Sequence, residues 1–257
     1  MNFIGIIPAR YASTRFPGKP LCKIGKQTMI ECTYNQASKV KEFSEVVVAT
    51  DDVRIYDAVV SFGGKAVMTS SAHCSGTDRC AEVFQQLNYK PEDTVVVNIQ
   101  GDEPFIKPEQ IQELIGCFSF SDVRIATLIK KIDSQAVLDN PNVVKVVISN
   151  ENHALYFSRY PIPFLRNSSF ENVDFYQHIG IYAYQAAVLE ALVKIPPSAL
   201  EKAESLEQLR WLQAGYIIYV QQTQYEASAG IDTPEDLIRN SAIFQPSPDV
   251  PFHHLPK

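Results

Sequence analysis

Phe3-Ile-Gly-Ile-Ile-Pro-Ala-Arg-Tyr-Ala-Ser-Thr-Arg-Phe-Pro-Gly-Lys-Pro20 is the stretch on which the reading of this chain turns. Its apolar run, residues 3–7, has the character of a buried strand, broken at Pro8 by a loop that carries Arg10, Arg15 and Lys19 among small residues. Three cations at the carboxyl end of a first strand suit a polyphosphate, because arginine forks match phosphate oxygens and lysine adds a compact charge. Ala9, Ala12, Ser13 and Gly18 leave room for backbone N–H groups to approach the same oxygens. Spacing excludes two familiar phosphate loops. Gly18 and Gly25 stand too far apart for a Walker loop, and Gln27 follows Lys26; G-x-G-x-x-G occurs nowhere in the sequence.

Outward from this loop, strand-like runs at 45–50, 65–69, 94–99, 123–129 and 143–149 alternate with helical patterns at 29–40, 53–62 and 78–87. Asp51 or Asp52 is a candidate N-cap for the second helix and Gly63 its candidate terminator. Continuous apolar strands alternating with helices predict an α/β fold with a mostly parallel sheet covered on both faces. Ligands of such sheets lie beyond the carboxyl ends of the strands. After residue 150 the rhythm changes. Residues 156–166 are aromatic and proline-broken, and they read as an excursion. A strand at 178–184, a helix at 198–214, a strand at 217–222 and a closing helix from Pro234 follow. Residues 1–245 are expected to form one domain, with 246–257 a poorly ordered proline-rich tail.

Composition narrows the partners. The 257 residues are 46% hydrophobic with a net charge of −6, so the N-terminal cations are a local concentration on an acidic chain. That balance argues against a nucleic-acid binder. No apolar stretch is long enough to span a bilayer, and the start lacks the basic region of a signal peptide, so a cytoplasmic protein is expected. Cys22, Cys32, Cys74, Cys80 and Cys117 form no C-x-x-C pair, and His73-Cys74 with Cys80 reads as structural thiols rather than a metal cluster.

Thr94-Val-Val-Val-Asn-Ile-Gln-Gly-Asp-Glu-Pro104 supplies the acidic half of a site. Asp102 at the end of a buried strand would repel a triphosphate unless Mg²⁺ lay between them, a shell of hard oxygens and phosphates that magnesium favours. Asp232 is a second candidate ligand, although by itself it is an ordinary aspartate beside a helix start. His178 at a strand edge and Glu207 on a helix are likewise unremarkable in isolation, the one a structural histidine and the other part of a solvated face.

Taken in order, these motifs resemble one family. Residues 7–20, Val48-Ala-Thr-Asp-Asp52, Ser75-Gly-Thr-Asp-Arg79, residues 97–104, Ala154-Leu-Tyr-Phe-Ser-Arg159, residues 178–182, Leu206-Glu-Gln-Leu-Arg210 and residues 230–236 are similar to the 3-deoxy-manno-octulosonate cytidylyltransferases, the CMP-Kdo synthetases. The resemblance implies a Rossmann-like nucleotidyltransferase fold and transfer of CMP from CTP to the anomeric hydroxyl of Kdo, releasing pyrophosphate, in lipopolysaccharide synthesis. It further implies that Arg10, Arg15 and Lys19 hold the β- and γ-phosphates, and that Asp102 and Asp232 ligate Mg²⁺. Pro8, Ala9, Ser13, Ser75 and Arg79 would lie along the nucleotide. Gln100, Arg159, Arg166, His178, Tyr182, Glu207 and Gln208 would line the sugar pocket. A homodimer joined through residues 150–220 is implied as well. Asp78 stands where many relatives carry Glu, and Tyr160-Pro161 is bulkier than the pattern suggests. Three alternatives carry less weight: a cytidylyltransferase for an amino analogue of Kdo or for sialic acid, a glycosyltransferase (no Asp-x-Asp triplet occurs), and a non-catalytic CTP-binding protein.

Overall fold

A computed structural model describes residues 1–12, 16–226, 230–231 and 236–237. Ser13, Arg15 and Asp232, the helix expected from Pro234 and the proline-rich tail all lie outside the described residues. The first half comprises β1 (Asn2–Ala9), a small hairpin of β2 (Lys23–Ile24) and β3 (Gln27–Thr28), α1 (Met29–Ala37), β4 (Phe43–Thr50), α2 (Val53–Ser61), β5 (Ala66–Met68), α3 (Gly76–Gln86) and β6 (Thr94–Asn98). There follow α4 (Pro108–Gly116), β7 (Ile125–Lys131), α5 (Gln135–Asp139), β8 (Lys145–Ile148) and β9 (Ala154–Ser158). The chain continues through β10 (Tyr176–Gln185), α6 (Ala186–Leu192), α7 (Ala199–Glu204), α8 (Gln208–Gln213) and β11 (Tyr219–Gln222).

The sheet runs β11-β7-β10-β6-β1-β4-β5, with β8 and β9 off this path. Strands β5, β4, β1 and β6 are parallel, β10 is antiparallel to both β6 and β7, and β11 is parallel to β7. Alternation along the central strands feeds two cores. Ile4, Ile6, Val47 and Val96 pack with Phe84 of α3 and Leu209 of α8, while Ile7, Val48, Val95 and Val97 pack with Ile30 of α1 and Ile111 of α4. Burial on both faces is why these strands read as unbroken apolar runs.

Pro8 does not end β1. It sits inside the strand, paired with Ala49 of β4. Strand parity explains the tolerance: the Ile6 carbonyl accepts from the Ile99 N–H at 2.9 Å, so the donor that Pro8 lacks would point toward β6, beyond the last paired residues Ile6 and Asn98. Two further expectations change. The helix expected over 198–214 is two helices, because Ser205 adopts a left-handed conformation (φ 53°) that stops α7 before α8 begins. Residues 154–158, the last three of which open the expected excursion at 156–166, form the antiparallel partner of β8. Asp52 caps α2 and Gly63 (φ 84°) follows its end, as expected.

Strand β10 changes partner midway. Tyr176 and Gln177 pair with β8, whereas Tyr182 to Gln185 pair with β6, and the register on the β7 side shifts between Ile179 and Tyr182. The sheet is therefore split beside Asn98. Lys145 of β8, 0% exposed, holds the far side of the split by donating to the carbonyls of Asn140 (2.9 Å), Val143 (2.6 Å) and Arg159 (2.5 Å). Burial, and then the nearby Arg159, lower its pKa. Lys145→Met would leave these carbonyls without their charged donor; a loss of about 2–3 kcal/mol in urea unfolding is expected.

Candidate active site

A cleft of about 230 Å³ opens at the carboxyl ends of β1 and β6. Pro8, Ala9 and exposed Arg10 form one wall, and Gln100, Gly101 and Asp102 another. Gly101 is required there: a Cβ would stand 2.9 Å from the Pro8 carbonyl oxygen. Lys19 reaches across to donate to Asp102 Oδ2 at 2.6 Å. It is carried there by the turn at Gly18 (φ 71°), whose N–H donates to the Tyr11 carbonyl at 3.0 Å. The Tyr11 ring in turn lies 3.3 Å beneath the Arg54 guanidinium. The Asp102 carbonyl accepts from the Ile231 N–H at 3.1 Å, and buried Ile231 packs with Ile24 and Met29.

The third wall is the start of α3. Ser75 and Asp78 form a reciprocal capping box, so Asp78 is engaged with the Ser75 backbone. Arg79 is held by other groups: Asp51 Oδ2 (2.9 Å), the Thr69 hydroxyl (2.9 Å) and the Ser70 carbonyl (3.2 Å). Both Ser75 and Arg79 line the cleft. His73 and Cys74 line it too, His73 being paired with Glu82. No cluster of three metal-ligating side chains occurs among the described residues, and burial pushes the Cys80 thiol well up, in keeping with a structural role.

A second cavity of about 110 Å³ adjoins the first and shares Gly76 and Gln100 with it. It occupies the split in the sheet. Tyr182, Tyr184, Glu207, Gln208, Asn98 and Trp211 line it. Glu207 is not on a solvated face: it accepts from the Thr77 hydroxyl (2.7 Å) and from Arg210 Nη2 (2.8 Å). Burial raises its pKa against the opposing pull of Thr77 and Arg210. Arg210 is itself shared with Glu201 (3.1 Å) and the Ile195 carbonyl (3.1 Å). The apolar stripe Leu206, Leu209 and Leu212 faces the core as the helical spacing predicts.

His178, at the β10 shift, is enclosed by the Phe157 and Tyr182 rings at 5.0 and 5.2 Å. Its Nε2 lies 3.0 Å from the Thr127 hydroxyl. Although the residue is partly exposed, burial of the ring brings its pKa down to about 3. Arg159 faces carbonyls instead of either cavity, donating to Glu204 (2.8 Å) and Pro141 (3.2 Å). Arg166 is exposed on the segment after β9. Sequence reasoning did not single out Thr77, Asn98, Tyr184, Trp211 or Arg210. Two of these had a signal: Tyr184 is two residues from Tyr182 on a strand, and Trp211 is four from Glu207 on a helix, so each shares its partner's face.

The sequence pattern described as cytidylyltransferase matches residues 4–224. The chain is 53% identical over 244 residues to a 3-deoxy-manno-octulosonate cytidylyltransferase of Cytophaga hutchinsonii, spanning 93% of this chain and 96% of that protein. It is also 53% identical over 245 residues to one of Parabacteroides distasonis, spanning 92% and 96%. A CMP:2-keto-3-deoxy-manno-octonic acid synthetase, solved in complex with CTP, superposes with a TM-score of 0.88 at 43% identity, covering 95% of this chain and 98% of that one.

The lowered pKa of His178 has a defined consequence. Unfolded, its imidazole takes up a proton near 6.5; folded, it does so only near 3. Its contribution to stability is thus present above pH 6.5 and lost as pH falls from there toward about 3. His178→Gln should flatten the pH dependence of urea-unfolding stability across that window; an unchanged slope would show that the ring protonates normally in the fold.

Proposed function

The chain belongs to the 3-deoxy-manno-octulosonate cytidylyltransferases, within the cytidylyltransferase family, and on that premise we propose how its two cavities divide the reaction. The enzyme transfers CMP from CTP to the anomeric hydroxyl of Kdo, giving CMP-Kdo and pyrophosphate for lipopolysaccharide synthesis. One observation carries the division: a cleft bearing Arg10, Lys19 and Asp102 adjoins a chamber walled by amides, phenols and a carboxylate, with Gly76 and Gln100 common to both. A cluster of charges on one side and a chamber of hydrogen-bonding groups on the other suit a triphosphate and a polyhydroxylated sugar.

In the reaction the anomeric oxygen bonds to the α-phosphorus, the bond to the β-phosphate oxygen breaks, and the hydroxyl proton is lost. The chain has no covalent part to play, so it contributes position and charge. Arg10 and Lys19, joined by Arg15, would hold the departing pyrophosphate. Pro8, Ala9, Ser13, Ser75 and Arg79 would bound the nucleotide, with Arg79 acting through the loop it fastens. Gln100, His178, Tyr182, Glu207 and Gln208 would hold the sugar. Arg159 and Arg166 would meet the sugar's carboxylate only by leaving their present surroundings, which for Arg159 means exchanging backbone carbonyls for a stronger acceptor.

Asp102 fits a divalent cation, since its oxygen already holds one positive charge from Lys19 and is a hard donor. Asp102 and Asp232 would ligate Mg²⁺, which when bound would offset phosphate charge and orient the α-phosphate. The five cysteines, none in a disulfide, suit the reducing cytoplasm.

Pyrophosphate release from purified protein is expected only with CTP, Kdo and Mg²⁺ together. Asp102→Asn should abolish turnover while leaving cooperative unfolding intact, and Lys19→Ala should raise the barrier by about 2–4 kcal/mol. Turnover with the amino analogue but not Kdo would reassign the acceptor. CTP binding without turnover on any sugar acid would overturn the reading.

Residues 150–220 would also carry a homodimer interface. Support comes from the large apolar side chains exposed there: Leu155 (59%), Tyr160 (73%) and Phe164 (81%). Sedimentation should give a dimer, and Leu155→Glu with Phe164→Glu should shift it to monomer; a parent that sediments as a monomer would refute this.

A further inference from the structure

Two phenol groups in the second cavity are anomalous. The hydroxyls of Tyr182 and Tyr184 are buried, and neither has a hydrogen-bond partner of good geometry among the described residues. The Thr127 and Thr77 hydroxyls lie near enough to act on the phenols, but their own protons are directed elsewhere, that of Thr127 to the Ile181 carbonyl and that of Thr77 to Glu207. An unsatisfied buried donor costs on the order of 1–3 kcal/mol, and phenylalanine would fill the same space without that cost.

The rings are also fixed. They stack at 5.8 Å and 11°, and each meets the Trp211 edge nearly at right angles, at 5.2 and 5.6 Å. Two residues apart on β10, they project from the same face into one chamber. Burial and the nearby Glu207 keep both phenols protonated, so they are available as donors. A chamber of about 110 Å³ is too small for a whole eight-carbon sugar acid but large enough for part of its hydroxylated chain. Its polar lining fits hydroxyls: Glu207 accepts, Gln208 and Asn98 do both, and the phenols donate. Among the described residues no Lys or Arg lines it.

We propose that Tyr184 is a specificity-determining residue of the acceptor site, its hydroxyl donating to a hydroxyl oxygen of the bound sugar acid. The inference rests on the sugar-binding reading of this chamber and adds to it a residue that the family motifs had not marked. Trp211 acts behind it as a positioning residue, holding the phenol at the angle the ligand needs. A bound acceptor would give this hydroxyl its partner.

The test is Tyr184→Phe in the full chain, with KM measured separately for Kdo and CTP and thermal unfolding measured without ligand. KM for Kdo should rise on the order of tenfold while KM for CTP stays within about twofold. The unliganded variant should melt at or above the parent temperature, because it no longer buries an unpaired hydroxyl. A purely structural phenol would do the reverse, lowering the melting temperature and weakening both substrates alike. Kdo turnover by the parent with an unchanged KM for Kdo in the variant would overturn this inference alone. A parent inactive on Kdo would overturn the function on which it rests.

Discussion

The parallel pairing of β1 with β6 is the constraint on which the site depends. Both strands are buried along their length, and both end against the same opening, where Pro8 has no donor to offer and Gly101 has no side chain. That close approach brings Asp102 opposite the loop carrying Arg10 and Lys19. A side chain at position 101 would meet the Pro8 carbonyl, and the charges would lose their register. The fold thus sets the distance between the acid and the cations before any ligand arrives.

Apart from exposed Arg10, the cations near the two cavities are not waiting in solvent. Lys19 is against Asp102, Arg79 against Asp51, Arg210 between Glu201 and Glu207, and Arg159 among carbonyls. These engagements differ in kind. Arg79 and Arg210 are buried, and removing either partner would strand a charge, so they act as fixed struts. Lys19 is paired with a carboxylate that is one-third exposed, at 34%, where an incoming triphosphate can compete for it. The site therefore combines a rigid frame with one exchangeable contact at the place where charge must be redistributed.

Much of this was legible in the sequence, for definite reasons. Apolar runs at 3–9 and 94–99 announce buried parallel strands because nothing but burial on both faces favours such runs. The cations at 10 and 19 and the carboxylate at 102 mark the two sides of the cleft by their chemistry, whereas Pro8 misleads, because the strand runs on through it. The second half was harder to read. The break at Ser205 depends on a left-handed residue that is not glycine, so no ordinary helix-stop residue announces it. The split in the sheet beside β10 depends on which strand pairs with which, and pairing is not encoded locally. The role of Glu207 could not be seen from its helix alone: Arg210 lies one turn away on the same helix, but Thr77 is brought to it by tertiary packing.

The partition between the cavities has a consequence for how such an enzyme can diversify. On the proposed division the triphosphate side is assembled from β1, β6 and the start of α3, while the acceptor side draws chiefly on β10 and α8, and among the described residues only Gly76 and Gln100 belong to both walls. Changes on β10 or α8 can reshape what is accepted without touching the machinery that handles the nucleotide. The two shared positions cannot drift so freely: an alteration at either is felt by both substrates at once. A lineage built on this plan can acquire new acceptors by varying one half of its sheet, and its nucleotide chemistry is inherited intact.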